Sequence, residues 1–259
     1  MTASDVTDST GRAEGASSPE ARRAAAKEVG GRTLELFADT PRLNAWYYSK
    51  LSAHVAGDVL ELGSGTGNLT RLIVEDAHSL VATEVEAPYL AALRRAFAHD
   101  PRVTVAGFDL EGAPPPAIAE RRFDTVISVN VLEHVADDGG AVRRLSARLR
   151  PGGWMLAYVP AVPWAYGTMD RNLAHHRRYT RRSLRALMTQ AGLRVDRLEA
   201  MNLLGLAGWF VNGRILRRAA PDPVQVKAFD RLVPLVRLED RRPPPIGLGL
   251  VVHAQKPPR

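Results

Sequence analysis

The 259-residue sequence contains no cysteine. Structural disulfides, zinc–thiolate centres and a cysteine nucleophile are therefore excluded. Long apolar runs are also lacking. No stretch reaches the roughly 20 apolar residues that a membrane-spanning helix needs, so none is expected. The N-terminus lacks the basic-then-apolar pattern of a signal peptide, which makes a cytoplasmic protein the expectation. Lysine is scarce: Lys27, Lys50, Lys227 and Lys256 are four of the 35 basic residues, so arginine carries almost all the positive charge. Aromatic residues make up only 6% of the chain, yet three of them fall together at Trp46, Tyr47 and Tyr48.

What is present suits one sizeable α/β domain. The chain is 45% hydrophobic and long enough for a substantial core. Charge is unevenly spread. Residues 1–139 hold 13 basic and 21 acidic side chains, a net of −8, whereas residues 140–259 hold 22 and 7, a net of +15. A basic half suggests an acidic partner: a phosphorylated or carboxylated substrate, nucleic acid, or an anionic membrane surface. Arginine-rich codon usage in a GC-rich genome is the compositional alternative.

Residues 58–70, Asp-Val-Leu-Glu-Leu-Gly-Ser-Gly-Thr-Gly-Asn-Leu-Thr, organise the rest. An apolar run meets Gly63, Gly65 and Gly67 and is followed by a helix-like stretch. Strand, glycine turn and helix open a nucleotide-binding α/β unit. The glycines let a ligand lie against bare main chain. The spacing is G-x-G-x-G, not the G-x-G-x-x-G of dinucleotide folds, and Glu61 stands two places before the first glycine. Strands are expected at 79–83, 103–107, 123–128, 154–159, 193–201 and 248–254, with helices between them. Glu84, ending the second strand, is placed to accept both hydroxyls of a ribose. Glu86 is its rival, or else opens the next helix. Asp137 and Asp138, and later Thr180, read as helix caps.

The glycine loop with Glu61 resembles motif I of class I S-adenosylmethionine (SAM) methyltransferases. Three further landmarks in order extend the resemblance over residues 40–160: Glu84, the Asn130-Val131-Leu132-Glu133-His134 stretch, and the Leu149–Gly153 turn. The resemblance implies a Rossmann-like seven-stranded sheet, mostly parallel with the last strand antiparallel, and helices on both faces. It implies SAM as cofactor, held by Glu61, Gly63, Ser64, Gly65, Gly67 and Glu84. Asp109 would meet the adenine amino group, Leu110 or Phe108 its ring, and Asn130 the methyl donor. Asp109 as a plain turn residue, and His134 as a structural residue, are the alternatives.

After the fifth strand, Asp170 followed by His175-His176-Arg177-Arg178-Tyr179 resembles the D-x3-G-H-x-R-R-Y signature of a bacterial small-molecule methyltransferase subgroup, with Ala174 in place of its glycine. Loops here face the acceptor. His175 and Tyr179 are therefore candidate catalytic residues, and Asp170, Arg177 and Arg178 candidate acceptor ligands; a loop-pinning network, with Tyr179 in the core, is the alternative. Tyr47 and Tyr48 read either as cavity lining or as core. No metal is expected, because the acidic residues do not follow the carboxylate pattern of magnesium-dependent O-methyltransferases.

In domain terms, residues 1–20 read as a disordered tail and 21–259 as one domain. Residues 41–160 form its cofactor core, and 203–243 a helical insertion that would serve as a lid, a homodimer surface or a peripheral membrane contact. The expected activity is methyl transfer to a small, acidic acceptor in specialised or glycan-related metabolism. The alternatives are an RNA or DNA methyltransferase and a SAM-binding regulator without chemistry. Against nucleic acid, Asn130 is not followed by the Pro-Pro-aromatic run of base amino-methyltransferases.

Overall fold

A computed structural model describes the backbone of residues 19–258 and the side chains from Glu28 onward. The expected tail lies outside the described residues except for Pro19 and Glu20, which open the first helix. In chain order the elements are α1 (Pro19–Ala38), α2 (Pro41–Leu51), β1 (Asp58–Leu62), α3 (Thr70–Asp76), β2 (Ser79–Glu84), α4 (Ala87–Ala96), β3 (Val103–Gly107), α5 (Pro116–Ala119) and β4 (Phe123–Val129). They continue with α6 (Asp138–Arg148), β5 (Leu149–Pro160), α7 (Thr168–Asn172), α8 (Arg181–Gln190), β6 (Arg194–Met201), α9 (Leu203–Phe210), α10 (Pro223–Val236) and β7 (Gly249–Gln255).

Local chemistry sets most boundaries. Proline opens α2, α4, α5 and α10, where a missing N–H leaves no bond unmade. Asp137 caps α6 by accepting from the Gly140 N–H at 2.8 Å, and Thr180 caps α8 from Ser183 at 3.0 Å. Asn202, in the left-handed region, and Asp222 do the same for α9 and α10. β5 starts earlier than its apolar run suggests, because Leu149 already pairs with Phe123 across an irregularity that absorbs the Arg150–Gly153 turn.

The seven strands form one sheet in the order β3-β2-β1-β4-β5-β7-β6. β7 runs antiparallel to β5 and β6, and the other pairs are parallel. Strand order reverses between β1 and β4, which opens a crevice at their C-terminal ends. The two-residue period sends Leu60, Leu62 and Val126 to one core and Val59, Leu80 and Ile127 to the other. Trp46 is fully buried, with its indole N–H on Asp240. Lys50, also buried, pairs with Asp240 at 2.6 Å and Glu199 at 3.3 Å and ties α2 to β6. α10 lies along α2, where Asp230 accepts from the Leu43 N–H at 2.9 Å. No described helix is long and apolar enough to cross a membrane.

Candidate active site

The glycine loop closes β1 against the tip of β2. Gly63, Gly65 and Gly67 take φ of +63°, +55° and +83°, which a Cβ disfavours. Space forbids one as well: a Cβ at Gly63 would lie 2.5 Å from Val131 Cγ2, and one at Gly65 2.9 Å from Leu34 Cδ1. The Ser64 N–H donates to the Thr83 carbonyl at 2.8 Å, and the Gly65 N–H to Glu84 Oε2 at 2.9 Å. Beneath the loop, Glu61 Oε2 accepts from Ser64 Oγ at 2.8 Å and Thr70 Oγ1 at 2.7 Å. Burial nevertheless raises the Glu61 carboxyl to about 7, against those two hydroxyls and with the Glu84 charge adding to the rise. Gly63→Ala is expected to cost about 2–3 kcal/mol from the strained φ and the overpacking. A drop in the urea midpoint checks this; an unchanged midpoint contradicts the cradle.

Beside the loop lies a cavity of about 270 Å³. Its walls are Glu61 to Ser64 and Thr66 from the loop, Asn130 and His134 after β4, Tyr158 on β5, His175 and Arg178 after α7, and Tyr47 on α2. Leu34 and Phe37 of α1 and Trp209 of α9 close it. Asn130 reaches the wall through a left-handed turn (φ 52°) while its N–H holds the Tyr158 carbonyl at 2.9 Å. The Tyr47 and Tyr158 rings meet at 4.7 Å, and burial pushes both phenols above their ordinary range.

Asp170, wholly buried, is a hub of hydrogen bonds beside the cavity. Its Oδ1 accepts from Arg178 Nε at 2.7 Å and contacts His175 Nδ1 at 3.0 Å. Its Oδ2 accepts from the Gly167 N–H at 2.9 Å and Trp209 Nε1 at 3.1 Å. Burial pushes this carboxyl up, but the His175 bond, the Arg178 charge and the Gly167 N–H outweigh it and hold the group at about 2. Arg178 also donates to the Ala161 carbonyl at 2.9 Å and lies 5.1 Å over the Trp209 ring.

This arrangement, a glycine cradle at the C-terminal end of β1 facing the first residues after β4, agrees with the comparisons to known proteins. A family model described as a methyltransferase domain matches residues 22–198. The chain belongs to this methyltransferase family. It is 28% identical over 212 residues to a probable SAM-dependent methyltransferase of Mycolicibacterium smegmatis, covering 75% of this chain and 79% of that one. A Mycobacterium tuberculosis protein of the same description is 30% identical over 124 residues, 45% of this chain and 43% of that one. In fold it is similar to a Haloferax volcanii methyltransferase solved with the Trm112 activator: TM-score 0.61 at 15% identity, covering 92% and 98% of the two chains.

The methyltransferase's own residues fit SAM. A Cβ at the three loop glycines would crowd Val131, Leu34 and Phe97, so the loop stays bare backbone, and Thr66 Oγ1 is buried at the cavity with no hydrogen-bond partner among the described residues. SAM supplies a methyl group on a sulfonium; the loop, Glu61 and Asn130 line the cavity that would receive it.

Several expected site residues stand elsewhere. Glu84 lies outside the cavity wall, with Oε2 on Gly65 and Oε1 accepting from Val85 and Glu86 at 2.7 and 2.9 Å. A carboxylate has about four acceptor sites, so Glu84 retains room for one ribose hydroxyl rather than two. Asp109 is exposed and accepts from the Glu111 N–H at 2.9 Å, while Leu110 is buried in the core. Tyr48 points away from the cavity, donating to Asp76 at 2.5 Å. Arg177 pairs with Asp138 at 2.6 Å, and the buried Tyr179 donates to the same carboxylate at 2.8 Å. Neither lines the cavity, and burial, with that carboxylate adding to it, pushes the Tyr179 phenol further from ionising, so the structure gives it no catalytic contact.

Sequence reasoning missed Glu133 and undervalued His134. Glu133 is completely buried, and neither of its carboxylate oxygens has a hydrogen-bond partner among the described residues. His134 opens on the cavity beside His175, their rings edge to face at 4.8 Å. The desolvating wall and the neighbouring His175 and His176 keep its imidazole below the usual histidine range. The adjacent Glu133-His134 pair was a visible signal; its distant partner His175 obeys no sequence spacing.

Proposed function

We propose that this methyltransferase transfers the SAM methyl to a small-molecule acceptor bearing a phosphate, diphosphate or carboxylate, in specialised or glycan-related biosynthesis. The observation that carries the reading is Arg178. It lines the cavity, its Nε and Nη1 are spent on Asp170 and Ala161, and its Nη2 has no partner among the described residues. A guanidinium held in place on one side offers its free edge to an oxyanion with little further ordering cost. A neighbouring hollow built from α7 and the turn after α9, lined by Arg171, Arg214 and Arg217, adds positive charge nearby. The cavity's closure by α1, α2 and α9 favours a small acceptor over a polynucleotide. Trp209 in its wall supports the lid role for the insertion.

The displacement needs the acceptor atom in line behind the methyl carbon, and positioning alone supplies several kcal/mol of the barrier. His175, oriented by Asp170, is placed to take a proton from an O- or N-acceptor. Labelled SAM offered with each phosphorylated metabolite beside its dephosphorylated form tests the reading. Wild type is expected to methylate only the phosphorylated member, and Arg178→Lys to raise its KM about tenfold or more. Equal transfer to both members overturns the acidic-acceptor assignment, and transfer to RNA or DNA alone overturns the small-molecule one.

A further inference from the structure

Glu133, His134 and His175 each offer one ligand atom, a carboxylate oxygen or a ring nitrogen, and the three atoms lie within 4.8 Å of one another. Ligands around a divalent ion at about 2.1 Å sit roughly 3–3.5 Å apart, so small side-chain rotations close the set. Two features distinguish it from a chance cluster. The first is Glu133, completely buried with both oxygens lacking a hydrogen-bond partner among the described residues. A buried carboxylate without donors is costly, and the cost is removed either by a proton or by a cation. The second is the outer support of the His175 imidazole. His175 spends Nδ1 on Asp170 at 3.0 Å, which leaves Nε2 as its ligand atom. Oxygen partners of this kind fix the tautomer and the aim of metal-binding histidines.

We propose that Glu133, His134 and His175 hold one divalent transition-metal ion whose remaining coordination positions open on the acceptor cavity. Two imidazoles and one carboxylate suit zinc, manganese or ferrous iron better than magnesium or calcium, which prefer all-oxygen sets. Both histidines line the cavity, so a fourth ligand would come from that side. An acceptor hydroxyl is the natural one. Bound to the ion it loses its proton to solvent more readily, its oxygen forms a bond to the methyl carbon, and the C–S bond breaks with its electron pair going to sulfur. His175 then acts as a ligand, and the ion takes over the deprotonation. The acceptor part of this inference rests on the small-molecule methyl-transfer reading above; the ion-binding part does not.

The test uses the full chain stripped with EDTA. Titration calorimetry with Zn²⁺ and Mn²⁺, and visible absorption with Co²⁺, are run on wild type, Glu133→Gln and His134→Ala. Wild type is expected to bind one equivalent and to give Co²⁺ d–d bands, with each variant weakening binding at least about tenfold. No binding by wild type overturns the site, as does unchanged binding in both variants. Binding of S-adenosylhomocysteine, measured alongside, shows that each variant is folded; if either fails, the wild-type Co²⁺ spectrum decides by whether it shows nitrogen ligation. The phosphorylated and dephosphorylated acceptors are then compared on stripped and reloaded enzyme. Full activity on stripped enzyme overturns the ion's part in transfer and leaves the substrate class standing. An ion that binds while both acceptors react equally overturns the substrate class alone.

Discussion

Asp170→Asn is expected to lower the melting temperature of the methyltransferase by on the order of 10 °C, a loss of about 3–5 kcal/mol. Asp170 is wholly buried and receives Arg178, His175, Trp209 and the Gly167 N–H on its two oxygens. An asparagine keeps the shape but turns an NH2 toward donors and removes the charge opposite Arg178, itself only 6% exposed. Breaking a buried pair costs more than the pair is worth, because the surviving charge stays buried. Trp209→Phe, which removes a single donor, is expected to cost only about 1 kcal/mol. The wild type also carries an acid signature. The Asp170 carboxyl is held at about 2, below its unfolded value, so its stabilisation is present above roughly pH 4 and is lost as pH falls through 2. Denaturant melts from pH 5 to pH 2 should therefore converge for wild type and variant; parallel curves with equal midpoints refute the hub.

Glu61→Gln is expected to act in opposite directions on stability and on cofactor binding. In the folded protein burial raises this carboxyl to about 7, above its unfolded value. Its contribution to stability is therefore full below about pH 4.5 and lost as pH rises through 7, a change on the order of 3 kcal/mol across the window. The glutamine variant loses that slope and should be more stable than wild type at pH 8. SAM, however, carries an ammonium and a sulfonium, and Glu61 lines the cavity that would receive them. Wild-type affinity for SAM is expected to rise with pH through 7, and the variant to bind at least about tenfold more weakly at pH 8 with no such rise. Calorimetric titration from pH 5.5 to 8.5 measures both. Equal affinity for the two proteins would remove Glu61 from the cofactor site.

The sequence by itself determined the strand–glycine–helix opening, the order of the elements and most of their ends. These depend on contacts within a few residues: a two-residue apolar period in β1 and β4, prolines opening α2, α4, α5 and α10, and caps at Asp137 and Thr180. The glycine loop was legible for the same reason, since its backbone demands small residues whatever surrounds it. Which side chains meet in the cavity was decided only by the tertiary structure. Tyr47 and Tyr48 are neighbours about 100° apart around α2, and the docking of that helix sends Tyr47 inward and Tyr48 to Asp76. Residues 177–179 run extended, so alternate side chains oppose each other: Arg178 faces Asp170, while Arg177 and Tyr179 both turn to Asp138. The phase of such an alternation belongs to the partner surface and leaves no local trace. Glu133 and His134 meet His175 for a like reason, because the turn after β4 and the chain after α7 converge only once the sheet has formed.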